Sequence, residues 1–190
     1  MRIGLFGGSF DPPHVGHWLA AVDAFDALAL DRLDFIPTAQ QPLKPVAHGA
    51  PANVRVDLLK AMLAGDSRFA VNPVEIDRGG LSFTVETVET YRQAGQADSL
   101  FLLLGTDAAS QLDRWKDPER LLRLVQLVVL TRGGERFTSA GLGSGALVLP
   151  TRRVDVSSTE VRGRAGAGRS LRGFVLDAVA DLIRDEALYR

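Results

Sequence analysis

The sequence predicts an α/β protein: a doubly wound, mostly parallel sheet with helices on both faces, the Rossmann-like arrangement. Three observations lead there. Short runs rich in Ile, Val, Leu and Phe recur at residues 2–7, 32–37, 69–75, 99–105, 124–131 and 146–150. They are almost continuously apolar rather than alternating, as expected of strands covered on both faces. Segments of helical period separate them, and strands alternating with helices imply parallel strands joined by crossovers. The unusual motifs then fall in strand-to-helix turns, beyond the carboxyl ends of the strands, where such sheets bind ligands.

Each helix has its own signals. Residues 14–30 place Trp18, Val22, Phe25 and Ala29 on one stripe. Residues 53–66 and 84–95 are amphipathic and end at glycine, a common helix stop. Residues 117–125 open with Asp117 and Pro118, an expected cap followed by proline at the first helical position. The last helix, 174–187, carries Phe174, Val175, Ala178, Val179, Leu182 and Ile183. Residues 133–145 are rich in Gly and Ser, and a mobile surface loop is expected there.

Composition narrows the function. The chain has 190 residues, 46% hydrophobic and 24% charged, with a formal net charge of −1. One domain over 1–190 is expected, because no linker interrupts it. The near-neutral balance argues against general nucleic-acid or membrane-surface binding, which depend on summed positive potential. No cysteine is present, so disulfides, thiolate zinc sites and cysteine nucleophiles are excluded together. The longest apolar runs, such as 100–104, are far too short to span a bilayer. The first residues have no signal-peptide layout, and a soluble cytoplasmic protein is expected.

The first strand runs into "GGSFDPPHVGH", residues 7–17. Gly7 and Gly8 allow a sharp turn and close approach of a ligand. Asp11-Pro12-Pro13 leads into a helix opening near Pro13 or His14. His14 and His17, three residues apart, project from one face of its first turn. Helix-start amides favour anions, and imidazoles beside them donate hydrogen bonds to phosphate oxygens. Gly16 costs about 1 kcal/mol inside a helix, which a flat ring packed against the turn would explain. A plain turn with two surface histidines is the bland alternative. The dinucleotide fingerprint is absent, and a zinc site lacks a third ligand, since His48 lies in a distant loop.

A second candidate phosphate site is "VDVSSTEVRGR", 154–164. Ser157 and Glu160 fit a capping box that opens a helix. Arg162 and Arg164 would then sit in its first turns, against the macrodipole, a conflict that a bound anion removes. A solvent-facing basic helix fits these residues equally well.

"GGSFDPPHVGH" resembles the signature of the H-x-G-H nucleotidyltransferase superfamily, and "SSTEVR" is similar to its second motif. The resemblance implies that His14 and His17 contact the triphosphate of a nucleotide, with Phe10 and the Gly7, Gly8 and Ser9 backbone nearby. It implies that Ser157, Thr159 and Arg162 hold the outer phosphates, so that residues 151–190 complete the phosphate site. Segments 35–45, 76–88, 102–117 and 127–132 and the terminal Leu188-Tyr189 together resemble the nicotinate-nucleotide adenylyltransferase family. That implies adenylyl transfer from ATP to nicotinate mononucleotide, giving nicotinate adenine dinucleotide and pyrophosphate in NAD biosynthesis.

In that family Gly105 and Asp107 would meet the adenosine ribose, and Trp115 would stack on the pyridine ring. The backbone amides of Thr84 and Lys116 would receive the nicotinate carboxylate. Lys44 would meet phosphate, and Arg132 would lie near the nucleotide. The catalytic group would be His14, His17, Lys44 and Arg162. No carboxylate cage is visible, so Mg2+ is expected to arrive with ATP. The chain departs from the family at Thr38, often Asn, at Leu43, often His, and at Phe83, commonly Tyr. Taken singly, Trp115 is a structural aromatic, Asp107 a helix cap and Lys44 a solvated charge. Transfer to the amide mononucleotide or another phosphate acceptor, a hydrolytic metalloenzyme and a non-catalytic nucleotide sensor stay open from the sequence, as does homo-oligomerisation.

Overall fold

The computed structural model of the chain describes residues 1–43, 49–95, 99–133, 137 and 145–190. Its strands are β1 (Arg2–Gly8), β2 (Arg32–Pro37), β3 (Phe69–Val71), β4 (Ser99–Gly105), β5 (Gln126–Arg132) and β6 (Leu147–Thr151). The helices are α1 (Val15–Ala27), α2 (Ala52–Leu63), α3 (Val74–Arg78), α4 (Thr84–Gln93), α5 (Thr106–Ala109), α6 (Pro118–Leu124), α7 (Ser158–Gly166) and α8 (Asp177–Asp185). A 3-10 turn at Leu112–Arg114 follows α5.

All six strands are parallel, in the order β3-β2-β1-β4-β5-β6. The strand order reverses between β1 and β4, where Leu5 lies opposite Leu102 and Phe6 opposite Leu103. The expected doubly wound sheet is therefore present, and its switch point is the crevice after β1 and β4. Alternate residues of the central strands feed two cores. Phe6, Phe35, Leu103 and Val128 face α1, α2 and α8, while Leu5, Ile36, Leu102 and Val129 face α4 and α6. Both faces of the centres of β1 and β4 are thus sealed, which is why residues 3–6 and 100–104 are apolar throughout.

Several boundaries differ from the sequence reading, each for a local reason. Residues 69–75 do not form one strand. The β3 ladder ends where the Asn72 amide donates to the Phe35 carbonyl (2.9 Å). Pro73 brings no N–H, and the Asn72 side chain accepts from the Val74 amide (3.1 Å), starting α3 instead. Asp117 does not cap α6 through its side chain: it lies at φ 49°. Pro118 disfavours the right-handed region for the residue before it, and Asp tolerates the left-handed one. The last helix starts three residues late. Phe174 lies in a turn, its amide donating to the Leu171 carbonyl (3.0 Å), and its own carbonyl takes the Val15 amide (3.0 Å), the first amide of α1. Gly7 and Gly8 lie in β1 itself, opposite Ile36 and Pro37, rather than in the turn after it. Residue 44 and most of the 133–145 loop lie outside the described residues. No helix among the described residues is long and apolar enough to cross a membrane.

Candidate active site

The turn after β1 is assembled from below. A Cβ on Gly8 would stand 3.0 Å from the Phe10 ring, so only glycine lets that ring tuck under the strand end. Phe10 itself adopts φ 48°, is 2% exposed, and meets His17 edge-on at 5.0 Å between centroids. Its ring is therefore a floor for the histidine, leaving its backbone to face any ligand.

His14 is the N-cap of α1 and His17 the third residue of its first turn. The Gly16 amide donates to His14 Nδ1 and the His14 amide donates to His17 Nδ1, each at 3.2 Å. Two imidazoles thus perform the reciprocal capping ordinarily done by Ser and Glu. A Cβ on Gly16 would lie 3.0 Å from the His14 ring, which accounts for glycine inside this helix. Because each Nδ1 accepts, the proton of each neutral ring sits on Nε2, leaving that N–H as the free donor.

The two rings stack at 3.8 Å with an interplanar angle of 32°. Burial, then Arg132, lowers the His14 pKa from 6.5 to about 4. Burial, then His14 and Arg132, holds His17 well below its ordinary value. Both are neutral donors at pH 7. Since the folded chain binds fewer protons at these rings than the unfolded one, their stabilising contribution is complete above pH 6.5 and is lost as pH falls toward 4. Chemical denaturation at pH 7 and pH 5 should show this as about 1 kcal/mol per pH unit per histidine. His14→Asn, which keeps a cap acceptor, should flatten the dependence; an unchanged slope would contradict the assignment.

The second site closes on the first. Ser157 caps α7 by accepting the Glu160 amide (3.1 Å), one half of the expected box. Ser158 Oγ donates to the Pro12 carbonyl (2.8 Å), and Arg162 Nη1 donates to the Asp11 carbonyl (2.7 Å). Arg162 Nη2 also donates to Thr159 Oγ1 (3.2 Å). These partners of Arg162 are uncharged oxygens, so they leave its charge available to an anion. The 7–17 turn and the 157–162 helix start are thus in contact, although about 150 residues separate them in the chain.

A cavity of about 260 Å³ opens on the other side of the Gly7–Gly8 strand end, at the switch point. Gly7, Gly8, Thr84, Asp107, Trp115 and Lys116 all line it. Phe83 precedes α4 in an extended conformation with no side-chain cap, so the first amides of α4, Thr84 among them, have none. An uncapped helix start suits an anion. Lys116 is turned aside: its Nζ donates to Glu86 Oε1 (2.6 Å) and lies 4.5 Å from the Phe83 ring centre. Trp115 is half-buried at the end of the 3-10 turn. Gly105 ends β4 and precedes α5, with Asp107 exposed in the next turn.

Sequence reasoning gave no role at the site to three supporting residues. Arg55, 1% exposed, donates Nη1 to the Ser9 carbonyl (2.8 Å) and Nη2 to the Thr38 carbonyl (2.7 Å). Its signal was a charge on the stripe shared with Leu58, Leu59 and Met62, the buried face of α2. Asp11 accepts the Gly49 and Ala50 amides (2.6 and 3.1 Å), and Tyr189 donates to it (2.8 Å). Neither Asp11 nor Tyr189 carries a spacing that reveals its partner.

Residues 5–164 match the cytidylyltransferase-like family model. A probable nicotinate-nucleotide adenylyltransferase of Gemmatimonas aurantiaca is 53% identical over 197 residues, covering 100% of this chain and 93% of that protein. The chain belongs to the nicotinate-nucleotide adenylyltransferase family. A further family member, from Thermus thermophilus, is 44% identical with both chains covered completely. The fold also matches Plasmodium falciparum nicotinic acid mononucleotide adenylyltransferase complexed with NaAD, with a TM-score of 0.80 at 15% identity over 99% of this chain and 97% of that one.

Proposed function

We propose that the chain transfers the adenylyl group of ATP to nicotinate mononucleotide, forming nicotinate adenine dinucleotide and pyrophosphate. The observation that carries this reading is two anion-favouring helix starts flanking one strand end. On one side α1 presents its paired imidazoles beside Arg162; on the other α4 presents bare amides to a cavity walled by Trp115. A polyphosphate suits the first, and a ring bearing a carboxylate suits the second.

A phosphate oxygen of the mononucleotide attacks the α-phosphorus of ATP in line. The bond to the bridging oxygen breaks, and pyrophosphate leaves with the electron pair. A phosphate monoester is largely dianionic at pH 7, so no general base is needed. Catalysis is positioning and charge neutralisation. The Nε2–H groups of His14 and His17 and the Arg162 guanidinium meet the charge that develops on the departing pyrophosphate. Ser157, Thr159 and the Gly7–Phe10 backbone hold the phosphates, and Gly105 and Asp107 meet the ribose. Lys44 and Arg132 add positive charge near the phosphates.

Among the described residues no group of three His, Asp or Glu side chains forms a metal site. The Asp11 carboxylate, next to the phosphate site, is already taken up by its three donors. In this reading the divalent ion, Mg2+, enters with the substrate as Mg·ATP.

Trp115→Ala should raise KM for nicotinate mononucleotide about tenfold, with KM for ATP within twofold, since ring stacking contributes about 1 kcal/mol beyond area burial. Steady-state kinetics with each substrate varied checks this. The reading as a whole is tested by comparing rates with the acid and amide mononucleotides. The acid should react faster by tenfold or more; equal rates would remove the role given to the α4 amides, and no reaction with either would refute transfer.

A further inference from the structure

We propose that Tyr189 is a positioning residue for the triphosphate, acting through Asp11. Its hydroxyl donates to Asp11 Oδ1 at 2.8 Å, and Asp11 is 5% exposed. The same Asp11 receives Arg162 on its carbonyl at 2.7 Å and the Gly49 and Ala50 amides on its carboxylate. One residue of the first turn thus ties together α7, the entry to α2 and the segment after α8. A Cβ on Gly49 would lie 3.1 Å from both the Tyr189 ring and the Arg162 side chain, so the ring and the arginine stem enclose that backbone.

The arrangement is built at a cost to the local backbone. Tyr189 lies at φ 64°, a region that bulky residues rarely occupy. A Cβ on Gly166 would lie 2.9 Å from the Tyr189 carbonyl oxygen, so α7 carries a glycine where this segment crosses it. Burial, then Asp11, pushes the Tyr189 hydroxyl pKa up, which keeps it a donor.

The consequence is electrostatic as well as geometric. Asp11 puts a carboxylate beside a site for polyanions, and the donors around it offset that repulsion. Removing the hydroxyl leaves the charge less compensated and Arg162 less firmly held. Both effects fall on ATP, on the Arg162 side of the Gly7–Gly8 strand end, and not on the mononucleotide cavity, which neither Asp11 nor Tyr189 lines. The inference rests on the ATP half of the proposed function.

Tyr189→Phe keeps the ring against Gly49 and loses only the hydroxyl. It is expected to raise both the Kd of Mg·ATP by calorimetry and KM for ATP about tenfold, as loss of a hydrogen bond to a charged group does. KM for nicotinate mononucleotide should stay within twofold, with the thermal midpoint shifted by less than about 5 °C. Tyr189→Leu should weaken ATP binding at least as much. Unchanged ATP affinity in Tyr189→Phe, or an equal rise in both KM values, would overturn the inference. If the unaltered chain binds Mg·ATP but transfers nothing, the proposed reaction fails while the Kd comparison still decides the role of Tyr189.

Discussion

Replacing His17 with alanine is expected to lower kcat about 10²- to 10³-fold while KM for ATP changes less than tenfold, the pattern of a donor that acts on developing charge. The geometry makes this expectation specific. His17 Nδ1 is consumed by the His14 amide, so Nε2–H is the only polar atom the ring can offer a substrate. The same bond gives the change a structural side. Alanine also removes half of the reciprocal cap and an edge contact to Phe10, so part of any loss is structural. His17→Gln separates the two, because glutamine at this position of a capping box can still accept the His14 amide. It should melt like the parent chain and remain impaired in kcat. Stopped-flow turnover with saturating substrates reads the effect; full activity in a correctly folded His17→Ala chain would remove the histidine from the mechanism.

The second large effect concerns stability. Arg55→Leu should destabilise the chain by about 3 kcal/mol, although leucine suits the apolar neighbours on α2. The loss comes from two carbonyls, of Ser9 and Thr38, left without the guanidinium that joins them. An interior acceptor stripped of its partner costs about 1–3 kcal/mol, and removing one member of a buried charged network costs more. Arg55→Lys should recover little, since one ammonium cannot reach both oxygens in the planar fork that arginine supplies. Urea denaturation measures this directly. A loss below about 1 kcal/mol would mean that the turn after β1 and the end of β2 are held by other contacts.

These two residues also mark what the sequence made legible. His17 stood out because its neighbours in the chain are its neighbours in space: the glycines, His14 and the helix start lie within eleven residues. The 157–162 segment was visible for the same reason. Strands 32–37 and 99–105 were placed to the residue, because burial on both faces keeps their centres mostly apolar, Asp34 excepted. Where a residue's conformation depends on one side chain, pattern was a poorer guide. Asn72 ended β3 through a turn of its own, and Asp117 gave up its capping role to the proline that follows it. Arg55, Asp11 and Tyr189 act across 17 to 178 residues of chain, where no local period records the pairing. Lys44 falls in 44–48, outside the described residues, and its role stays with the family resemblance.

The most direct test is an experimental structure of the chain bound to Mg2+ and a non-hydrolysable ATP analogue. Imidazole Nε2 atoms from the 7–17 turn and the guanidinium of Arg162 should each lie within about 3.2 Å of oxygens on one and the same triphosphate. A triphosphate gripped by only one of these segments, with the other turned toward solvent, would contradict the account.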